Sequence, residues 1–198
     1  ASVSDAAKLQ AAKNDAVKQL DQARDNTVDQ IKHSGLSAAR QQALINEVNA
    51  VHDEAVQKVK ADTTIPAVNQ DAADGLAAIS QVQTTMTGES DQLHAAQDAV
   101  NDVLAEATQN AIDAINGNDS LTADEKTDLI NEVNAAADQA KANINKATTP
   151  ETAQSAASDG ETAINGVSDA AKLQAAKNDA NHALSDEAKD AILAINGD

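Results

Sequence analysis

The stretch VSDAAKLQAAKNDA occupies residues 3–16, and the same fourteen letters return at residues 167–180. A diverged third copy begins near the midpoint between them, where LHAAQDAV occupies residues 93–100. In each copy and its continuation, apolar residues recur at spacings of three and four, which is the pattern of a helix with one buried face. The stretch therefore predicts an all-α chain made of successive helical units.

Each unit of roughly 80 residues is long enough to hold a core of its own. Within a unit, three segments show the helical spacing and are separated by turn residues. In the first unit the predicted buried stripes are Leu9, Ala12, Ala16, Leu20, Ala23, Thr27 and Ile31, then Leu44, Val48, Val51, Ala55 and Val59, then Val68, Ala72, Gly75, Ile79 and Val82.

The alignment predicts tandem three-helix bundles arranged end to end as an elongated rod. The predicted domains are a first repeat at 1–83, a junction at 84–90, a second repeat at 91–167, and the first helix of an incomplete third repeat at 168–198. The junction holds five residues more than its later counterpart, which inside one helix would turn the next repeat by about 140°. Two alternatives stay open, a loop or a changed angle. The grouping of the helices is also open. Each core can combine the three helices of one repeat, or the second and third helices of one repeat with the first helix of the following repeat.

Several residues predict where helices start. Thr122 and Glu125 form a capping-box pattern, in which a hydroxyl and a carboxylate satisfy free amides of the first turn. Pro150 and Pro66 lie at predicted helix starts, where the N–H that proline lacks would have no partner within the helix. Ser4 and Ser168 are the predicted N-caps of the first helix of the first and third repeats.

Gly75 and Gly160 fall on the buried stripe of the third helix of each repeat. Glycine there costs about 1 kcal/mol relative to alanine. We expect a neighbouring helix to pass close to both glycines. Residues 184–187 resemble another helix start, but the stripe continues on both sides of them, so we place them in mid-helix.

Composition excludes several classes of protein. The 198 residues carry a net charge of −18 and include no Phe, Trp, Tyr or Cys. Phosphate binding needs clustered Lys and Arg, so neither nucleic acid nor an anionic membrane is an expected partner. Without cysteine there is no disulfide or thiolate site. No apolar run approaches a membrane span, and the N-terminus lacks a signal-peptide pattern.

Catalytic and metal-binding patterns are also missing from the sequence. His33, His52, His94 and His182 form no recurring pair, and a metal site needs several converging ligands. We expect each of them to be a solvated side chain. Residues 116–125 hold several oxygen ligands, but they lack the order of a calcium loop, and a turn followed by a helix cap explains them better. We expect no enzyme activity, no cofactor and no metal.

One repeated polar pair is a candidate partner face. Asn46 and Glu47 recur as Asn131 and Glu132, and the helical spacing points them away from the buried stripe. Duplication alone explains the recurrence equally well.

The assembled repeat resembles a known family. LTADEK at 121–126, ATT at 147–149 and GETAI at 160–164 resemble the helical repeat called domain of unknown function fifteen forty-two, found in tandem in cell-wall-anchored surface proteins of Gram-positive bacteria. The first repeat departs from that pattern at Ser37–Arg40, where the acidic cap is missing. The resemblance implies an extracellular, wall-attached protein whose signal and anchor lie outside this sequence.

The leading functional hypothesis is a structural spacer in a surface adhesin. Such a spacer would contact neighbouring repeats of its own chain and would be monomeric. The alternative is an adhesive module that binds a host matrix or serum protein, or that mediates cell–cell aggregation in a biofilm. A third hypothesis is pairing between chains through the apolar stripe of residues 168–198.

Overall fold

The computed structural model describes residues 3–196, with side chains from residue 4 onward. It confirms the all-α prediction, since no strand occurs in this part of the chain. The five helices are α1 (Val3–Lys32), α2 (Ala38–Ala61), α3 (Ile65–Asn116), α4 (Ala123–Lys146) and α5 (Pro150–Asn196).

The chain divides into two compact units, Ala1–His94 and Ala95–Asp198. The core of unit 1 is built from α1, α2 and the first half of α3. The core of unit 2 is built from the second half of α3, then α4 and the first part of α5. Each bundle therefore groups the first, second and third helices of one repeat, which settles the grouping that the sequence left open.

Medium-sized aliphatic side chains fill both cores. Burying one of them fully contributes about 1.5–3 kcal/mol, so each bundle depends on many such residues rather than on a few large ones. The most deeply buried side chains include Leu20, Ile31, Leu44, Ile79, Leu104, Ile115, Ile144 and Ile164.

Short turns separate the first helices of each unit. Gly35 has φ = 75°, a left-handed conformation that favours glycine, and it ends the turn after α1. Ser37 then caps α2, its hydroxyl accepting a bond of 3.2 Å from the Arg40 amide. These signals place the reversal of the chain between α1 and α2.

Helix α3 runs without a break through residues 84–90. The loop alternative for this junction is therefore wrong. Thr84 and Thr85 bond back to the carbonyls of Ser80 and Gln81, as threonines do inside a helix. Met86 belongs to the core of unit 1, and the Ser90 hydroxyl donates to the Ser34 carbonyl at 2.7 Å, so this part of α3 still packs within unit 1. The domain boundaries and the end-to-end arrangement inferred from the sequence stay predictions.

Helix α5 is likewise continuous across the start of the predicted third repeat. The predicted N-cap at Ser168 is wrong, because the residues before it are already helical and supply carbonyls to the amides that a cap would satisfy. The predicted N-cap at Ser4 is also wrong, because α1 already begins at Val3. Residues 184–187 lie in mid-helix, as the repeat alignment predicts. None of the helices within residues 3–196 is long and apolar enough to cross a membrane.

Candidate functional site

The predicted partner residues lie on the outer faces of the second helices. Asn46 and Glu47 are exposed on α2, and Asn131 and Glu132 are exposed on α4 at the equivalent positions, 85 residues further on. The Asn46 side-chain oxygen accepts a bond of 2.9 Å from Gln42 on the same helix. Each pair belongs to its own unit, and both remain predicted partner faces.

The two buried glycines mark the closest approach between helices within each unit. A Cβ atom added to Gly75 would overlap the Cβ of Ala55 on α2 and lie 2.9 Å from Leu20 Cδ2 on α1. At Gly160 it would overlap the Cβ of Ala140. In both units the glycine thus lets the third helix pack against an alanine of the second.

Helix α4 starts with a complete capping box. The Thr122 hydroxyl accepts from the Glu125 amide at 3.3 Å, and the Glu125 carboxylate accepts from the Thr122 amide at 2.8 Å. That backbone hydrogen bond, aided by one from Asn178, lowers the pKa of Glu125. Pro150 is the first residue of α5, and Pro66 the second of α3.

Sequence reasoning missed a clamp that joins the start of the second helix to the third helix. In unit 1, Arg40 donates to both carboxylate oxygens of Glu89, with Nε 2.7 Å from Oε2. The hydrogen bond to Arg40 lowers the pKa of Glu89, and the same contact raises the pKa of Arg40. The clamp ties the N-terminus of α2 to α3.

Unit 2 builds the same clamp from different residues. Glu125 occupies the position of Arg40, and Gln174 occupies the position of Glu89, each 85 residues further on. Gln174 donates to Glu125 at 2.9 Å, while Asn178 donates to Glu125 and to the Ser120 carbonyl, each at 2.8 Å. The offset of 85 residues holds here because α3 and α5 both continue as helices. The repeat alignment pairs Gln174 with His94 instead, so the sequence carries no signal for this contact.

The prediction of a solvated side chain is wrong for His52, which is buried in unit 1 because it packs between α1 and α2. His52 lies with Nε2 2.8 Å from Asp21 on α1 and Nδ1 2.9 Å from Asp53 on its own helix. The equivalent position in unit 2 is Ala137, which is buried in the core. His52 therefore joins two helices through polar contacts where unit 2 uses apolar packing.

The surface depressions are shallow and lie between helices. One depression of about 330 Å³ is open to solvent, and its lining includes Lys13, Lys18, Lys60 and Asp21. Within the described residues no three His, Cys, Asp or Glu side chains converge as metal ligands. The contacts described above join helices within one bundle.

The family described as Domain of Unknown Function (DUF1542) matches residues 12–87 and again residues 95–172. The chain belongs to this family. Each DUF1542 match lies within one compact unit, so the family's sequence unit coincides with one three-helix bundle. The function of the DUF1542 domain is unknown, and membership assigns an architecture rather than an activity. No curated protein and no solved structure matches the chain.

Proposed function

We propose that this chain is a spacer, or stalk, segment of a bacterial cell-surface adhesin, attached to the cell wall and projecting a distal binding region. The observation that carries the proposal is the continuity of α3. This helix of 52 residues is the third helix of one DUF1542 bundle and the first helix of the next. A shared helix transmits load between bundles along hydrogen-bonded backbone rather than through a loose linker.

The local character of each core supports the same function. All buried residues of the first core cluster come from Ala16–Met86, and all those of the second from Leu104–Ala175. Because each bundle is completed by nearby sequence, further copies lengthen such an array without changing the existing bundles. The proposed partners are neighbouring repeats of the same chain, and the proposal includes no catalytic role and no cofactor.

Single-molecule pulling on the chain tests the proposal. We expect two successive low-force steps, because each bundle is held by small aliphatic side chains. Complete unfolding of a unit releases roughly 300 Å of extended chain. Leu20→Ala assigns the steps, since it weakens unit 1 alone. One single rupture of the whole chain, or an unfolded length that matches neither unit, would argue against a spacer built from separate bundles.

One observation favours a second candidate function, adhesion to a host extracellular protein. The Asn–Glu pair is exposed at the same position of both units, so an array would present it repeatedly. Binding to immobilised fibronectin, fibrinogen or albumin tests this function. Both copies of the pair must be removed together, in the variant Asn46→Ala/Glu47→Ala/Asn131→Ala/Glu132→Ala. Saturable binding that this variant loses and the exposed control Asn69→Ala retains would support adhesion over a passive spacer.

A further inference from the structure

The depression of about 330 Å³ in unit 1 lies between α1 and the end of α2, and its charged lining is mostly basic. The lysine depression, as we call it, is lined by Lys13, Lys18 and Asp21 of α1 and by Lys60 of α2. Three ammonium groups therefore stand against one carboxylate, in a chain whose net charge is −18. The local charge is thus opposite in sign to that of the whole chain.

The lysines lie on two sides of the depression. Lys13 is on the α2 side, because its ammonium donates to the Lys60 carbonyl at 2.7 Å. Lys18 follows five residues later, which places it about 140° further around the axis of α1. Asn14, which also lines the depression, lies between these two directions on the helix. A ligand in the depression would therefore meet a positive charge on each side.

Neighbouring carboxylates do not neutralise these ammonium groups. In the part of unit 1 that the structure describes, the lysine and arginine residues in ion pairs are Arg24, Lys32, Arg40 and Lys58. Asp21 is engaged by other groups, since its Oδ1 lies 2.8 Å from His52 Nε2 and 3.7 Å from the Arg24 guanidinium. The charges of Lys13, Lys18 and Lys60 are therefore available to a bound anion.

The second unit shows that the bundle does not need these charges. At the equivalent positions of unit 2 the three lysines are replaced by Gln97, Asp102 and Asn145. Gln97 donates to the Ile144 carbonyl at 3.0 Å, so an uncharged amide caps the end of the second helix as Lys13 does in unit 1. Helix capping thus accounts for a donor at this position, but it does not account for the positive charge, and it does not involve Lys18.

The arrangement of the charges fits a small molecule that carries two phosphate groups. Ammonium groups bind phosphate oxygens through charge-assisted hydrogen bonds, and two phosphate groups can contact both sides of the depression at once. At an ionic strength of 0.15 M, charges are screened beyond about 8 Å, so a ligand within the depression is affected mainly by the nearest lysines. A long polyanion would extend past the depression along an acidic chain, which would repel it.

We propose that the lysine depression of unit 1 binds a small diphosphate or bisphosphate anion, and that the equivalent surface of unit 2 does not. Lys18 contacts the anion from one side, and Lys13 and Lys60 contact it from the other. The inference goes beyond the spacer function and does not depend on it.

A nuclear magnetic resonance titration of the full chain, labelled with ¹⁵N, tests this inference at neutral pH and 0.15 M ionic strength. The probes are inorganic pyrophosphate, in which the two phosphate groups are adjacent, and fructose 1,6-bisphosphate, in which they are separated. We expect saturable shifts of the backbone amide signals of Lys13, Asn14 and Lys18 with at least one probe, and the tighter probe gives the spacing of the phosphate groups. The signals of Gln97, Asp98 and Asp102 in unit 2 should not shift in the same way.

Matched variants identify the lysines that bind. Lys18→Gln, a change at an exposed residue, should raise the dissociation constant about 2- to 5-fold, as expected for the loss of one exposed charge pair. Lys13→Gln/Lys18→Gln/Lys60→Asn should raise it by about 10-fold or more. The control Lys32→Gln/Lys141→Gln/Lys172→Gln removes the same number of charges at exposed positions elsewhere and should change it less than about 2-fold.

Four results would overturn the inference. They are no saturable shift with either probe, equal weakening by the two triple variants, shifts of the same size in unit 2, and binding of long-chain polyphosphate without binding of either small probe. The last result would make a linear polyanion the ligand. Because Lys18→Gln tests the site without changing a contact of the bundle, the inference remains falsifiable if the triple variant fails to fold. None of these outcomes bears on the pulling experiment.

Discussion

Replacing Gly75 with alanine tests the packing inside a DUF1542 bundle, because two physical effects act in opposite directions. Alanine favours a helix over glycine by about 1 kcal/mol. The added Cβ at residue 75 would overlap Ala55 Cβ and approach Leu20 Cδ2 to 2.9 Å, so the two helices must move apart. Gly88 lies in the same helix with open space around its Cβ position and experiences only the first effect.

The magnitudes decide the sign of each change. Overpacking a core costs about 1–3 kcal/mol, which exceeds the gain in helix propensity. We therefore expect Gly75→Ala to destabilise unit 1 by about 1 kcal/mol and Gly88→Ala to stabilise the chain by up to about 1 kcal/mol. Urea denaturation followed by circular dichroism is the suitable assay, because the chain has no Trp or Tyr. The midpoints should move in opposite directions by roughly 0.3–1 M.

A double variant identifies the atom responsible. Adding Ala55→Gly to Gly75→Ala removes the overlapping methyl group, so the pair should be less destabilised than the two single changes summed. If Gly75→Ala raises the midpoint as Gly88→Ala does, the close approach of α2 and α3 is wrong.

Three further predictions concern other contacts. Thr122→Ala should destabilise unit 2 by about 1 kcal/mol in urea denaturation, and Thr122→Ser should not, because serine retains the capping hydroxyl. Arg40 lowers the pKa of Glu89, so the pair stabilises the fold above the usual pKa of that carboxyl and loses its effect as pH falls through the lowered value. Arg40→Ala should therefore lower the free energy of unfolding by about 0.5 kcal/mol at pH 7 and by less as the pH falls towards about 2. A loss of stability that does not change with pH would refute the clamp. Leu20 and Leu184 occupy the same position of the repeat, but Leu20 is buried and Leu184 is exposed. Leu20→Ala should therefore lower the free energy of unfolding by about 2–5 kcal/mol, and Leu184→Ala by less than about 0.5 kcal/mol. Equal losses of stability would contradict the exposure of Leu184.

The sequence predicted the features that depend on local pattern. The spacing of Leu20 and Ile31 identified a buried helical face, and both side chains are fully buried. The pattern at Thr122 and Glu125 depends on residues three apart, so the hydrogen bonds follow directly. The recurrence of glycine on a buried stripe indicated a close helix contact, although it could not identify the alanine opposite.

Features that depend on distant residues were not predictable in the same way. The Arg40–Glu89 clamp joins residues 49 apart, and only the register of two packed helices brings them together. The serine at 168 carries a helix-start signal, but a cap acts only where the preceding chain is not helical, and α5 begins 18 residues earlier, at Pro150. The junction remained open because its residues are compatible with either a helix or a loop.

The spacer proposal depends on the continuity of α3 from unit 1 into unit 2, and amide hydrogen exchange over residues 83–100 measures that continuity in the unaltered chain. We expect protection throughout this segment, because its amides bond within the helix and Met86 and Ser90 are buried in unit 1. Exchange over residues 84–90 at the rate of an unstructured chain, with protection on either side, would show a loop there and refute the continuity of α3.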